Sequence, residues 1–509
     1  MYKAPHVVHQ ASGPVVKHSN GIKGEECIPN HFGEHALLIG GSLAGLMTAR
    51  VLADHFDAVT VLERDRIENR PTLHQSIPQG SHVHGLLLGG QRVIASLYPG
   101  SIEKLETLGA VRCRAGSDLV FYLPTGKAFS ATGTVREPRD LGFDIICQSR
   151  ELLEYCVRQC TFEHANITFE TESSVQGLIY EDGHVRGVRY HRSGKAHSLA
   201  TDFVVDASGR RSAAPRWLTD FGFQAPEETI IGVDIAYAST KFRVPKGYDE
   251  PERILLFIGP PPDFPEGAIM EIIENDTWHV TLAGRFGNYP PHDIEGFLAF
   301  AKSLHTPKLY NLIKDAERVA GITHYRFSTS VQRHYERLST FPEGFLVLGD
   351  AISSLNPVYG QGMSSAALQV QALQRLLIKR ANEARGLENL ALSFFKEAAE
   401  IILTPWTLTA NQDLAFPQTR GERPSDLEER IRYFRDVDAL TAEDDEVHRL
   451  VVEVLNLAKP LSALREEPLR SRVEAGQRNA DARSRALPLG RTPLMPDSAL
   501  TRRSVALCG

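Results

Sequence analysis

Three observations predict an α/β fold with α+β insertions. A short apolar run opens through glycines into a helix and a second apolar run within residues 35–64. Alternating strands fill residues 231–287, and helical periodicity dominates 387–480. The expected architecture is a nucleotide-binding domain with a parallel sheet and a β-meander, a mixed-sheet substrate domain, and a helical C-terminal region.

The first unit reads HALLIGGSLAGLMTARVLADHFDAVTVLER. Residues 36–39 are apolar throughout, as in a strand buried on both faces. Gly40, Gly41 and Gly45 punctuate a tight turn, and Leu46, Ala49, Val51, Leu52 and Ala53 form one face of a helix ending near His55. Residues 59–62 make a second strand, with Glu63 and Arg64 at its end. A βαβ unit of this kind binds a dinucleotide. The glycines let the backbone approach a pyrophosphate, and the free N–H groups and dipole of the helix N-terminus favour the anion. Glu63 is placed to accept from a ribose diol, which points to an adenosine ribose without a 2′-phosphate. The middle glycine of the G-x-G-x-x-G pattern is replaced by Ser42.

A chain of 509 residues accommodates two or three domains, and 42% apolar with 23% charged residues is a soluble globular composition. The net charge of −7 without a basic block argues against nucleic acid as a partner. Six cysteines without a C-x-x-C pair read as reduced thiols of a cytoplasmic protein. Residues 1–34 form a polar, irregular extension with no signal-peptide core, and no uncharged apolar run approaches the ~20 residues of a membrane span. The final Ala-Leu-Cys-Gly does not match a prenylation box. Residues 481–509, rich in Arg, Pro and Ser, are expected to be a disordered tail.

Between these landmarks the chain takes the following order. A loop, HQSIPQGSHVHGLLLGG, contains Gln79 and the His82-x-His84 pair and is expected to lie over a cofactor. No third ligand accompanies the histidines, so no metal is expected. A helix over 85–97 stops at Pro99-Gly100, and a hairpin over 118–130 turns at Pro124-Thr125-Gly126. Residues 145–150 lead through Arg150 into a helix over 151–160, then a strand over 167–170 and a meander with turns at 181–183 and 192–194. The strand 203–206 ends in Asp206, followed by Ala207-Ser208-Gly209-Arg210. Strands over 235–244, 253–258 and 268–286, helices over 294–304 and 307–319, and one long strand over 322–337 follow. A buried strand at 345–348 leads to Gly349-Asp350. The nucleotide-binding domain is thus expected from 35–75, 145–212 and 321–386, and the substrate domain from 76–144 and 213–320.

Three distant segments combine: GGSLAG with Glu63, DASGRRS at 206–212, and GDAISSLNPVYGQGMSSAA at 349–367. Together they resemble the FAD-dependent aromatic hydroxylase (para-hydroxybenzoate hydroxylase-like) superfamily. The order of strands and meander is similar to the FAD-binding glutathione-reductase type of fold. The resemblance implies FAD, with Gly349 and Asp350 at its ribityl or ribose region. It places Pro357, Gly360, Gln361, Gly362 and Met363 against the flavin, at a helix N-terminus suited to negative charge near N1 and the C2 carbonyl. Gly40, Ser42, Gly45, Glu63, Arg64, Gln79, Arg150, Asp206 and Gly209 complete the expected cofactor set. More narrowly, IPQGSHVHGLL, CQSRELLEYCVR, DASGRRS, NPVYGQGMSSAA and PWTLTANQDLAFPQTR resemble flavin-dependent polyene epoxidases of polyether antibiotic pathways, over about residues 35–480. The chain departs from them at His74-Gln75, where they carry a basic residue, and at Gly360-Gln361-Gly362, where they show G-H-G.

The implied activity is a monooxygenase delivering one oxygen of O2, through a flavin C4a-hydroperoxide, to an alkene or electron-rich ring of a small hydrophobic secondary metabolite. Electrons come from NAD(P)H visiting transiently or as reduced flavin from a partner reductase. No acid–base pair stands out. His82, His84 and Tyr359 are candidates for a base on position alone, with packing or cofactor contact the favoured role for each. The alternative is an FAD-dependent reductase or dehydrogenase acting on an isoprenoid-like substrate; a flavin-binding module without turnover is the remaining option. Halogenases of the same fold carry W-x-W-x-I-P, whereas Trp217, Trp278 and Trp406 stand isolated here.

Overall fold

The computed structural model describes residues 31–72 and 78–486. Residues 1–30, the His74-Gln75 pair and the tail beyond 486 lie outside the described residues. A five-stranded parallel sheet runs in the order Phe345–Val347, Phe203–Asp206, Gly33–Ile39, Phe56–Leu62 and Ile167–Glu170. Its strands are short and apolar because both faces are covered. The helix Leu43–Leu52 packs on it between the helices Arg150–Phe162 and Gly362–Asn382. The Arg150–Phe162 helix starts at Ser149, whose Oγ accepts from the Leu152 N–H at 3.2 Å, satisfying one of the free first-turn donors.

The meander follows the expected turns. Ser173–Glu181, His184–Arg192 and Lys195–Ala200 pair antiparallel. Asp182-Gly183 and Ser193-Gly194 all have positive φ (48°, 84°, 51° and 75°), the conformation of tight hairpin turns that match strand twist.

The second sheet has seven strands, in the order Thr323–Phe327, Ile235–Arg243, Thr277–Arg285, Gly267–Ile273, Ile254–Phe257, Leu119–Leu123 and Gly126–Ala128. All neighbours are antiparallel except Leu119–Leu123 beside Ile254–Phe257. Phe242, Trp278, Val280 and Leu282 point to one face and pack on Phe297 and Leu309 of the helices Ile294–Ser303 and Lys308–Ile313. Tyr237, Ser239, Lys241, His279 and Thr281 alternate to the other face, toward the parallel sheet.

Several expectations are corrected. The strand over 268–286 is two strands, because Asn275 and Asp276 adopt φ of 61° and 48° and turn the chain back. The strand over 322–337 is also divided: Thr323–Phe327 joins the seven-stranded sheet, whereas Ser330–Arg333 pairs with Glu228–Ile231 and Ser353–Ser354. The helix over 307–319 ends at Ile313 because residues 317–319 instead bond along a strand: Arg243 N–H donates to Glu317 O at 2.8 Å and Val319 N–H to Lys241 O at 2.9 Å. A second helix, Ser101–Thr107, follows Pro99-Gly100, and Val93, Leu97, Tyr98 and Leu105 join the core of the parallel sheet. The last third is not helix throughout but four helices, Leu390–Leu414, Leu427–Leu440, Asp445–Leu455 and Leu469–Ala486, the last reaching into the segment expected to be disordered. No described helix is long and apolar enough to cross a membrane.

Gly45 sets the distance between the first helix and the strand before it. A Cβ there would lie 1.9 Å from the Gly40 carbonyl oxygen. Gly45→Ala is therefore expected to push the helix off the sheet and lower the melting temperature by several degrees, as read by thermal denaturation. An unchanged melting temperature would show that the helix does not sit this close.

Candidate functional site

A cavity of about 1200 Å³ lies between the carboxyl ends of the parallel strands and the open face of the seven-stranded sheet. Single small-molecule sites occupy roughly 300–1,000 Å³, so this volume has room for an extended cofactor and a second molecule. Of the residues expected at a cofactor, Gly40, Ser42, Glu63, Arg64, Gln79, Arg150, Gly209, Asp350, Pro357, Gly360, Gly362 and Met363 line it together. Gly45, Asp206, Gly349 and Gln361 do not form its wall.

Those four act behind the wall. Asp206 is fully buried and shapes the next loop: Ser208 N–H donates to its Oδ1 at 2.9 Å and Ser212 Oγ to its Oδ2 at 2.6 Å. Gly349 N–H donates to Gln369 Oε1 at 2.9 Å, tying the strand end to the Gly362–Asn382 helix. Gln361 precedes that helix as its N-cap, and its Oε1 is buried without a partner.

Ser42 takes a glycine position without strain, since its φ of −85° is open to any residue. Its hydroxyl instead joins a buried charge pair: Arg150 Nη2 donates to Ser42 Oγ at 2.8 Å, and Ser42 Oγ donates to Glu154 Oε2 at 3.1 Å. Glu63 is buried, and its carboxylate accepts from the N–H groups of Gly41 at 2.7 Å and Asp65 at 2.8 Å. Two carboxylate oxygens offer about four acceptor sites, so capacity remains toward the cavity. Asp350 accepts no hydrogen bond among the described residues; burial pushes its carboxyl up, opposed by the charges of Arg150 and Arg210. A Cβ built at Gly362 would meet only Asp350 Oδ1, at 3.8 Å, so this glycine leaves open space in front of a helix N-terminus with no acid in its first turn. Two carboxylate acceptors, two open helix starts and a bare turn on one wall fit a dinucleotide bearing hydroxyls and a pyrophosphate.

The sheet supplies the opposite wall. His82 Nδ1 lies 2.6 Å from Ser239 Oγ, and Thr281 Oγ1 accepts from Val83 N–H at 2.9 Å, so the histidine loop is laid on the sheet by two hydroxyls. His82 Nε2 is buried without a partner. Burial holds His82 down at about 3 and His84 at about 4, so both are neutral imidazoles near pH 7. Among the described residues no three His, Cys, Asp or Glu side chains converge as metal ligands.

Tyr359 is committed elsewhere. Its hydroxyl donates to Asp413 Oδ1 at 2.8 Å, and burial pushes it far above its usual range. Asp413 also pairs with Arg285 at 2.9 Å and accepts from Asn356 Nδ2 at 3.0 Å, while Tyr237 OH donates to Asn356 Oδ1 at 2.9 Å. Asp413 and Arg285 were not expected from the sequence. The signal was there for Asp413: a carboxylate stands beside the buried positions Ala410 and Leu414 of a helix that is buried along much of its length. Glu271, also unexpected, lines the cavity at 3% exposure with Oε1 unpartnered. Register places it opposite His279, and His279 opposite Lys241. Burial, with Glu274 adding and Lys241 opposing, pushes its carboxyl up to about 8.

No family model matches the chain. Its fold is the one shared by flavin-dependent halogenases and monooxygenases. The flavin-dependent brominase Bmp2 superposes with a TM-score of 0.63 over 89% of this chain and 100% of that one, at 14% identity. The chain belongs to the family of Protein Rv3254 of Mycobacterium tuberculosis (strain ATCC 25618 / H37Rv), with which it is 30% identical over 401 residues, 76% of this chain and 82% of that protein. Squalene epoxidase 4 of Arabidopsis thaliana is 24% identical over 390 residues, 74% of this chain and 67% of that one.

The Glu271 proton makes stability depend on pH. The folded protein holds it between the ordinary value of 4.5 and about 8, where an unfolded chain has released it, so stability falls as pH rises through that window. Glu271→Gln is expected to flatten this fall by about 1 kcal/mol or more between pH 5 and 8, measured by urea denaturation at each pH. Parallel curves for the two proteins would refute a protonated Glu271.

Proposed function

We propose that this protein is an FAD-dependent monooxygenase that transfers one oxygen atom of O2 to an alkene or electron-rich ring of a small hydrophobic substrate. The observation that carries this reading is a single cavity whose wall holds both the Glu63 end of a βαβ unit and the bare Pro357–Met363 turn, and which continues onto the sheet over Leu119, Phe121, Ile254, Leu256 and Ile269. The resemblance to polyene epoxidases and the distant likeness to a squalene epoxidase favour epoxidation over ring hydroxylation. Gly40, Ser42, Glu63, Arg64, Gln79, Arg150, Gly209 and Asp350 would hold the cofactor, with Glu63 on the adenosine ribose and Asp350 on the ribityl chain or ribose. Electrons would come from NAD(P)H or from reduced flavin made by a separate reductase.

Bound FAD, once reduced, supplies the activation of O2. The chain's own contribution is position, charge and dryness. The first-turn N–H groups of the Gly362–Asn382 helix would stabilise negative charge on the pyrimidine end of a flavin held at this turn. Leu86, Leu87, Phe121 and Ile269 exclude water from the space beyond the turn. Neutral His82 and His84 put no cation beside the reacting segment. Tyr359, bound to Asp413, holds the turn and is not available as a base. An alkene needs no protein nucleophile, which suits a wall without one.

The purified protein is expected to release FAD, not FMN, on acid extraction, and Glu63→Ala to bind FAD about 10- to 100-fold more weakly. Turnover under ¹⁸O2 with an alkene and a phenol library, followed by mass spectrometry, should give a product carrying one ¹⁸O. A reaction that proceeds without O2 would replace this reading with the reductase alternative. Gly362→Val places methyl groups in open space, so flavin-free protein should melt as wild type does. The same variant, saturated with FAD, should form little product and more H2O2 per reductant consumed. Wild-type coupling would mean that the turn is not at the flavin.

A further inference from the structure

The wall of the cavity beyond the Pro357–Met363 turn includes the helix Asp445–Leu455 of the C-terminal region. His448, Val451, Val452, Leu455 and Asn456 line the cavity, at a spacing of three, four, seven and eight that keeps them on one helical face. His448 is 1% exposed, and neither Nδ1 nor Nε2 has a hydrogen-bond partner among the described residues. Asn456 Oδ1 is likewise buried and unpartnered, while its Nδ2 donates to Val452 O at 3.0 Å.

The two ends of this stripe differ in what they adjoin. Gly89 N–H donates to Asn456 O at 2.9 Å, and the neighbouring Leu87 carbonyl accepts from Ser364 Oγ at 3.5 Å, in the first turn of the helix that starts at Gly362. Asn456 therefore lies toward the turn that faces the cofactor. His448 stands eight residues away, about 12 Å farther along at 1.5 Å per residue, with valines and a leucine between. Asp438 lines the cavity too, on a neighbouring helix. Arg139 beside His448 is already committed to the carbonyls of Thr441 and Ala442 and to Asp445.

We propose that His448 is a substrate-anchoring residue: it binds a hydroxyl group carried by an elongated apolar molecule that runs along the stripe toward Asn456, about 12 Å away. A buried imidazole lacking both partners is costly unless a ligand supplies them. A hydroxyl both donates and accepts, so it can pair with whichever ring nitrogen faces the cavity, in either tautomer. Burial, with the Arg139 charge adding, holds His448 neutral, and Asp438 on the cavity wall disfavours an anionic head group. The valine stripe accounts for the apolar body. This assignment rests on the reading of the cavity as a substrate site, and it extends that reading from a hydrophobic substrate to one with a polar anchor at a fixed distance.

The test uses decan-1-ol and 1-chlorodecane, matched in length, displacing the apolar dye Nile red from the protein as purified. His448→Leu is expected to lower the ratio of decanol affinity to chlorodecane affinity about fivefold to tenfold, leaving chlorodecane within twofold of wild type. Asn456→Leu, at the other end of the stripe, should leave the ratio unchanged. His448→Gln retains a donor and an acceptor and should keep part of the preference, which also covers the case of a poorly folding leucine variant. An unchanged ratio in both His448 variants overturns the proposal, as does failure of decanol to displace the dye from folded wild-type protein. The absence of FAD or of an ¹⁸O product would overturn the monooxygenase reading without altering this ratio.

Discussion

A carboxylate buried to 1% exposure is the constraint on which the site depends. Removing Asp413 from water is expensive, and burial accordingly pushes its carboxyl up. Arg285, Tyr359 and Asn356 offset the cost from two other parts of the chain, the last strand of the seven-stranded sheet's central hairpin and the turn before Gly362. Tyr237, on the neighbouring strand, completes the cluster through Asn356. A charge with this many obligations cannot shift alone. The turn, the sheet and the Leu390–Leu414 helix are held in one geometry, and the cavity between them keeps its shape.

The local parts of this fold were readable because local physics decides them. The apolar strands of the first unit, the Ser149 start of the Arg150–Phe162 helix and the two glycine-containing meander turns each carry their signal within a few residues. The misreadings arose where a tertiary partner overrode a periodic pattern. Residues 317–319 continue a helical pattern, yet bond along Ile235–Arg243. Residues 322–337 alternate like one strand, yet serve two sheets. Asn275-Asp276 was a legible turn signal hidden by the strong strands on either side.

The same division applies to the site. Glycine turns and strand-end acids announce themselves by type and spacing, and Glu63, Ser42, Arg150, Asp350 and Gly362 reach one wall. Asp206 and Gly349 sit in equally suggestive motifs, but their polar groups serve the loops behind that wall. Glu271 and His448 gave no signal, because a single acid in a strand or histidine in a helix is ordinary until its burial and its partners are known. Their significance lies in what surrounds them, and pairing across sheets and helices far apart in sequence supplies it.

The order of the parallel sheet has a consequence for the protein while it is being made. Phe203–Asp206 is an edge strand until Phe345–Val347 arrives to pair with it. With roughly 140 residues between them and synthesis at about 5–20 residues per second, that apolar edge waits on the ribosome for about 7–28 s. During this interval it presents unpaired N–H and C=O groups, a template for misdirected pairing between nascent chains. Five of the seven strands of the second sheet are synthesised within the same interval. The insertion that shapes the cavity thus also delays completion of the parallel sheet, and one short strand is the place where a nascent chain is most open to wrong pairing.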